Sequence, residues 1–527
     1  MPHRNNGAIA ILLLGLVGLA ASAHAEVTRI EWTSKQPYGA FRAGHYVIWQ
    51  GTVHGELSPQ EAIPGLDKAA RNDHGRVAYA AKIILMMPEN TASGNGALLV
   101  DVPNRGHVYA EALYNSPHDA PFRSGTLEQG TGFLQDHGFT IAEVFWELGQ
   151  GADLPSFVDA EGKKRYVEGA GFAIVRDAAD FLAHAAVDSA GTANPVAGTI
   201  NRVLASGKSQ DGRFLKTFLL NGFNRVGDRR VFDGMHVFVS AAGLLPIMQT
   251  GTGPKSSADA APTFADPDFP GVNDGPLTIG EVIAKVKARG EVPPKILMVS
   301  STTDYYSLRA SLGRTGGSGI ADQPIPVNVR MYDIAGGPHA IVPKAPTCTM
   351  PPGRLDWAPV SRALLLRLDA WVSHNTQPPT TELMPLEAAR GEPPALRAPS
   401  KFASAVIQVP RHDEDGNAEG GVRLPDIAVP LGTNGGQNAP QTFTCMLVGS
   451  FRPFAATKAD RERTGDARPS LEERYRSRDD YVNKVRIAAQ DLEKRGFLLP
   501  EDAAVYVEEA ASSKLFEPAH AEATPPR

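Results

Sequence analysis

Short unbroken apolar runs alternate along the middle of this chain with stretches whose apolar residues recur three to four positions apart. Residues Ala97-Leu98-Leu99-Val100-Asp101-Val102 form the first such run, and others fall at 139–146, 200–205, 235–241, 296–300 and 327–334. Runs of this length, bounded by turn residues, suit strands buried on both faces. Between them, Ile174, Ala178, Phe181 and Leu182 mark one face of a helix, and Val360, Leu364, Leu368 and Trp371 mark another after the last run. Phe214, Phe218 and Leu219 repeat the pattern after the 200–205 run. Buried strands alternating with amphipathic helices predict an α/β fold, a mostly parallel sheet with helices on both faces.

Residues 26–95 precede this rhythm with two strand-like runs, at 45–53 and 77–87, separated by polar and Gly/Pro-rich turns. Two stretches interrupt it, 107–135 and 244–290, the second rich in Gly, Pro, Ser and Asp. Segments of that length inside a compact domain are lids or binding walls, and both read as cap insertions. Beyond residue 378 the texture changes. Pro378-Pro379 and Glu392-Pro393-Pro394 mark a linker-like passage, and a loop-rich zone follows. A charged helical end then begins with the capping box Ser470-x-x-Glu473 and carries the stripe Tyr481, Val485, Ala488, Leu492. The expected organisation is N-terminal strands at 26–95, a core at 96–378 and an extension at 379–527 that packs on it.

The N-terminal residues 1–25 stand apart from the fold. Arg4 precedes an apolar run from Ile9 to Ala20, and Ala23-His24-Ala25 supplies an A-x-A site before Glu26. This reads as a secretory signal peptide cleaved after Ala25, giving a periplasmic or secreted protein with no membrane span in its mature form. Export changes the meaning of the two cysteines, Cys348 and Cys445. In an oxidising compartment an isolated pair is expected to be bridged, the alternative being two buried thiols. Two cysteines are too few for a structural zinc site. A net charge of −6 with 21% charged residues offers no basic surface for nucleic acid.

Chemistry concentrates at Gly207-Lys208-Ser209-Gln210-Asp211-Gly212, where an apolar run meets a helical pattern. A serine on a sharp strand-to-helix turn is exposed beyond the strand end, and the helix N-terminus behind it favours a developing oxyanion. The match to G-x-S-x-G is imperfect, because Asp211 holds the last position and Gly212 comes one later. The plain alternative is a turn serine. A serine nucleophile needs a base, and the base needs an orienting acid. Both follow in order: Asp304 just after the 296–300 run, and His339 on the turn Gly336-Gly337-Pro338 after the 327–334 run. Open α/β sheets place their sites at such strand ends, so Ser209, Asp304 and His339 should meet on one edge. Asp304 could instead cap the following helix and His339 could bond loop backbone. The rival acids Asp333 and Asp233 lie within or before a strand, away from that edge.

The oxyanion hole is expected from the backbone N–H of Gln210 together with one from the Arg105-Gly106 turn. Lys208 reads as a solvated side chain. Asp413-x-Asp415-x-Asn417 has the spacing of a calcium loop, but Ala418 and Leu424 stand where that loop needs Gly and Glu. An acidic hairpin turn is the expectation there, and neither a metal nor an organic cofactor is called for.

Several motifs are shared with a known family. Gly207–Leu215, Asn221-Gly222-Phe223-Asn224, Val231-Phe232-Asp233-Gly234, Asn104-Arg105-Gly106 and Gly336-Gly337-Pro338-His339 are among them. So are Asp413–Asn417, Arg423-Leu424-Pro425-Asp426, Asp466–Tyr475 and Leu498–Asp502. In these the chain resembles an α/β-hydrolase-domain family of exported bacterial proteins. The resemblance implies an α/β-hydrolase fold and a serine-hydrolase site, with Ser209 and His339 on the family's motif. At the acid position the family more often has Glu before Tyr, where this chain has Asp304-Tyr305. The resulting expectation is a hydrolase of small or oligomeric carboxylic esters. The alternatives are an acyltransferase or amidase using the same trio, or a binding protein on a hydrolase scaffold.

Overall fold

The computed structural model describes residues 26–118, 125–254, 278–390 and 396–513. The expected signal peptide, Glu392-Pro393-Pro394 and parts of both cap stretches lie outside the described residues. Among the described residues a 10-stranded sheet forms the centre. In chain order its strands are β1 (Glu26–Phe41), β2 (Gly44–Leu57), β3 (Val77–Pro88), β4 (Ala97–Asp101), β5 (Thr140–Val144), β6 (Ala152–Asp153), β7 (Arg202–Lys208), β8 (Gly234–Phe238), β9 (Lys295–Ser301) and β10 (Val329–Ile334). Their spatial order is β1-β2-β3-β5-β4-β7-β8-β9-β10, with β6 beside β3. The first three strands and β5 pair antiparallel, and β5-β4-β7-β8-β9-β10 run parallel. The alternating pattern therefore gives the parallel sheet it predicts.

Period-2 geometry divides each central strand between two cores. On β4, Leu98 and Val100 join one hydrophobic cluster while Ala97 and Leu99 join the other, all fully buried. Helices α1 (Ala170–His184), α2 (Gln210–Leu220) and α3 (Ile279–Ala288) cover the first face with Phe172, Phe214, Phe218 and Ile283. The second face is covered by α5 (Ala358–His374), α6 (Arg478–Arg495) and α7 (Pro500–Ser512) through Leu364, Leu368, Val485 and Tyr506. The six-residue helix α4 (Thr302–Ser307) follows β9 directly. Helix α3 lies inside the 244–290 stretch. It carries the crossover from β8 to β9, and Thr278 with Glu281 makes a capping box at its start.

Two local expectations need correction. Strand β1 does not show in the polarity pattern, because register shifts at Val27/Arg29, Trp32/Ser34 and Pro37/Gly39 break its period. Ser470 and Glu473 do form a capping box, but they cap the short helix Leu471–Arg474. The long helix α6 has its own N-cap, Ser477, which accepts from Asp480 N–H.

The extension completes the sheet edge. Asp333 N–H donates to Glu382 O at 2.9 Å, and Val422 N–H donates to Asp333 O at 2.8 Å. These bonds cover β10, which would otherwise present open backbone groups. Cys348 and Cys445 are joined by a disulfide with Cα atoms 5.5 Å apart. No helix among the described residues is long and apolar enough to cross a membrane.

Candidate active site

Ser209 follows the last residue of β7 and stands at the head of α2 with φ +60° and ψ −110°. A non-glycine residue rarely holds a positive φ, and here it turns the hydroxyl out beyond the sheet. The turn is fixed by Ser209 N–H donating to Phe238 O on β8 at 2.9 Å. Helix α2 sits close against the sheet, with Phe214 packed on Phe172 and Trp146 at ring distances of 4.6 and 4.9 Å.

The structure brings Ser209, His339 and Asp304 together. His339 Nε2 lies 3.0 Å from Ser209 Oγ, and its Nδ1 lies 2.6 Å from Asp304 Oδ1. Asp304 is fully buried, and its second oxygen accepts from Ser301 N–H at 2.7 Å. Asp304 is not the N-cap of the following helix, a place taken by Ser301. It closes the Ser301 capping box as the third residue of α4 and faces His339 with its other oxygen. Burial holds the His339 pKa below the usual 6.5. Asp304 opposes that shift, and the charges of Lys208 and Arg213 add to it. The ring is therefore a neutral base at pH 7. The rival acids are engaged elsewhere: Asp333 with Arg314 at 3.1 Å and Tyr305 at 2.8 Å, and Asp233 with Arg230 and Val203 N–H.

On the oxyanion side, Gln210 is the first residue of α2, where a helix leaves backbone N–H groups without intrahelical partners. The other expected contributor is the turn after β4. Arg105 (φ +49°) and Gly106 (φ +76°) are both left-handed, and Asn104 and His107 close the turn with paired backbone bonds of 2.8 and 2.9 Å. Asn104 Nδ2 donates to Lys208 O at 2.9 Å and so ties this turn to the serine turn. Pattern reading did not single out the Asn104 side chain for this role.

The awkward Asp211 is accommodated by a division of labour. A Cβ on Gly212 would meet Ser240 Cβ at 2.8 Å and Phe238 O at 3.1 Å, so the close approach to β8 falls on Gly212. Asp211 turns away into a fully buried acidic nest. Burial first, then the neighbouring charges of Asp101 and Glu147, push its carboxyl well above the usual range. Neither of its oxygens has a hydrogen-bond partner. A neutral carboxyl suits that place better than a carboxylate.

Lys208 corrects the expectation of a solvated lysine. It is 3% exposed, and its Nζ donates to the His339 carbonyl at 3.0 Å. The only sign in the sequence was its position as last residue of a buried strand. At Asp413–Asn417 the acidic turn folds on itself: Asp413 Oδ1 accepts from Asn417 N–H at 2.9 Å, while Arg423 and Arg474 hold Asp413 and Asp415. These carboxylates serve the turn and the arginines.

A mostly parallel sheet with a serine turn after β7, an acid after β9 and a histidine after β10 has the arrangement of the α/β-hydrolase class. The chain belongs to the alpha/beta hydrolase domain family, which it matches over residues 49–508. Its fold is similar to that of a glucuronoyl esterase from Solibacter usitatus. Identity there is 12% and the TM-score 0.30, over 59% of this chain and 83% of the other. An S-formylglutathione hydrolase from Staphylococcus aureus is 8% identical with a TM-score of 0.26, over 54% of this chain and 90% of the other. No curated protein matches the sequence.

Proposed function

We propose that this chain is an exported serine hydrolase that cleaves carboxylic esters, with Ser209 as nucleophile, His339 as base and Asp304 as orienting acid. The observation that carries the reading is the pair of contacts at 3.0 and 2.6 Å linking Ser209, His339 and Asp304. His339 Nε2 takes the Ser209 proton as Oγ attacks the acyl carbon, and the oxyanion forms against the Gln210 N–H and the Arg105-Gly106 turn. The imidazolium, held by Asp304, returns its proton to the leaving alcohol. Water then repeats the sequence on the acyl-enzyme and releases the acid. An acceptor alcohol or amine in place of water would make the same trio an acyltransferase. The disulfide between Cys348 and Cys445 fits an oxidising compartment, as does the signal-like segment 1–25.

A panel of esters graded in acyl length, with fluorophosphonate labelling, tests the reading. Wild type should hydrolyse some members and take up the label, and Ser209→Ala should lose about 10³-fold or more in kcat and all labelling. Labelling that persists in Ser209→Ala would sink the assignment.

A further inference from the structure

We propose that Lys208 is a positioning residue for the reaction, clamping the main chain of His339 and, through its charge, keeping that imidazole in the base form. This rests on the serine-hydrolase reading and adds to the trio a residue that never touches substrate.

The geometry is specific. Lys208 is the last residue of β7, next to Ser209, so its backbone belongs to the serine turn. Its side chain crosses to the histidine loop and donates to His339 O at 3.0 Å. The ammonium lies 5.0 Å from the ring centroid of Tyr109 and 5.4 Å from that of Trp357. One side chain therefore joins the nucleophile's strand, the loop after β4, the base and the head of α5.

Burying an ammonium is costly, and a methionine would fill the same space without that cost. Packing alone is thus a poor account of a lysine here. What lysine brings is a donor to the His339 carbonyl and a positive charge near its ring. Burial lowers the Lys208 pKa to about 8, opposed first by Asp304, so the cation persists at neutral pH. The charged groups facing His339 are Asp304 from α4, Lys208 from β7 and Arg213 from α2. Asp304 favours the imidazolium, and the two cations disfavour it. The two cations keep the ring free to accept the serine proton and then make the imidazolium a stronger acid toward the leaving alcohol, while Asp304 limits both effects. The proton moves from Ser209 Oγ to His339 Nε2 to the leaving oxygen, and Lys208 exchanges none.

The test is the pH dependence of kcat/KM between pH 4 and 9 on one ester, for wild type, Lys208→Met and Lys208→Arg. Folding is checked by circular dichroism, and Ser209 by fluorophosphonate labelling. Removing the cation stabilises the imidazolium, so the acid limb of Lys208→Met should move up by about 1 unit. Its kcat should fall about 10-fold through the loosened base. Lys208→Arg keeps charge and donor and should keep the wild-type limb. A merely structural lysine would lower kcat and leave the limb in place, and an unmoved limb in folded Lys208→Met overturns the proposal. Should the methionine variant not fold, Lys208→Gln reads the same limb, because it lacks the charge but keeps a donor. Wild type that takes up no fluorophosphonate overturns the hydrolase reading itself. Labelled wild type with an unmoved limb overturns the role of Lys208 alone.

Discussion

Ser209 stands between two buried ionisable residues, Lys208 before it and Asp211 two positions after it, and burial acts on them in opposite directions. It lowers the lysine to about 8 and raises the aspartate well above the carboxylate range. The Asp211 carboxyl, with no hydrogen-bond partner on either oxygen, therefore favours its neutral form, whereas Asp304 faces the Nδ1 of His339 at 2.6 Å, where the proposed mechanism needs an acceptor. The two aspartates should respond differently to the same substitution. Asp211→Asn replaces a neutral acid by a neutral amide of the same shape and should leave kcat/KM within about 3-fold, within the tolerance expected of a volume-conserving change. Asp304→Asn presents the wrong group to Nδ1–H and should lower kcat by about 10⁴. Steady-state kinetics of both variants on one ester decide it. Equal losses would mean that Asp211 is ionised and takes part in the chemistry.

Strands β4 and β5 pair Asp101 with Glu143 in parallel register, and the turn of helix Glu111–Asn115 brings Glu111 to the same buried place. All three are fully buried. Desolvation, then Asp101, raises Glu143, and desolvation pushes Glu111 up to about 8. A carboxyl whose folded pKa is raised contributes stability in full below its unfolded pKa of about 4.5 and loses it as pH rises through the folded value. For Glu111 that window runs from about 4.5 to about 8. Wild type should accordingly melt at a lower temperature at pH 9 than at pH 5, and Glu111→Gln should narrow the gap, as thermal unfolding at the two pH values would read. An unchanged gap would mean that Glu111 is ionised in the fold. This nest was not legible in the sequence, since Asp101 passed as one polar residue in an apolar run and Glu143 as another. The strands and helices themselves were legible, because a strand buried on both faces must be apolar throughout and a helix must carry a stripe. Order and strand-end position also marked Ser209, Asp304 and His339 in advance. Lys208 and Asn104 were not marked, because their roles depend on partners more than 100 residues away, which no local period encodes.

At the scale of the molecule the extension braces the edge of the sheet that carries the proposed base. Glu382 and Val422 pair with β10, and Ala340 N–H, next to His339, donates to Leu447 O at 2.9 Å. Gly353 N–H donates to Val448 O at 2.8 Å, and between these two bonds Cys348 is joined to Cys445. Arg362 of α5 holds Asp502 of α7 from a buried position and also donates to Ser116 O at 3.0 Å. The histidine loop is thus pinned to the extension by backbone bonds and one covalent link, with a sequence separation of 97. Closing a loop of that size is worth about 4–5 kcal/mol through the unfolded state. A chain of 527 residues loses about 2.1 cal/mol/K of entropy per residue on folding, or roughly 1 kcal/mol/K in all. The paired variant Cys348→Ser/Cys445→Ser should therefore melt about 4 °C below wild type. Reductant should lower the wild-type melting temperature by a similar amount and leave the variant unchanged. Because the backbone bonds at Ala340 and Gly353 remain, kcat of the folded variant should stay within about 3-fold of wild type, in keeping with a cross-link that acts on the unfolded chain. A variant that melts with wild type would show that the bridge does not constrain the unfolded chain. A variant that melts as expected but loses most of its kcat would show that the covalent link, rather than the backbone pairing, holds His339 in place.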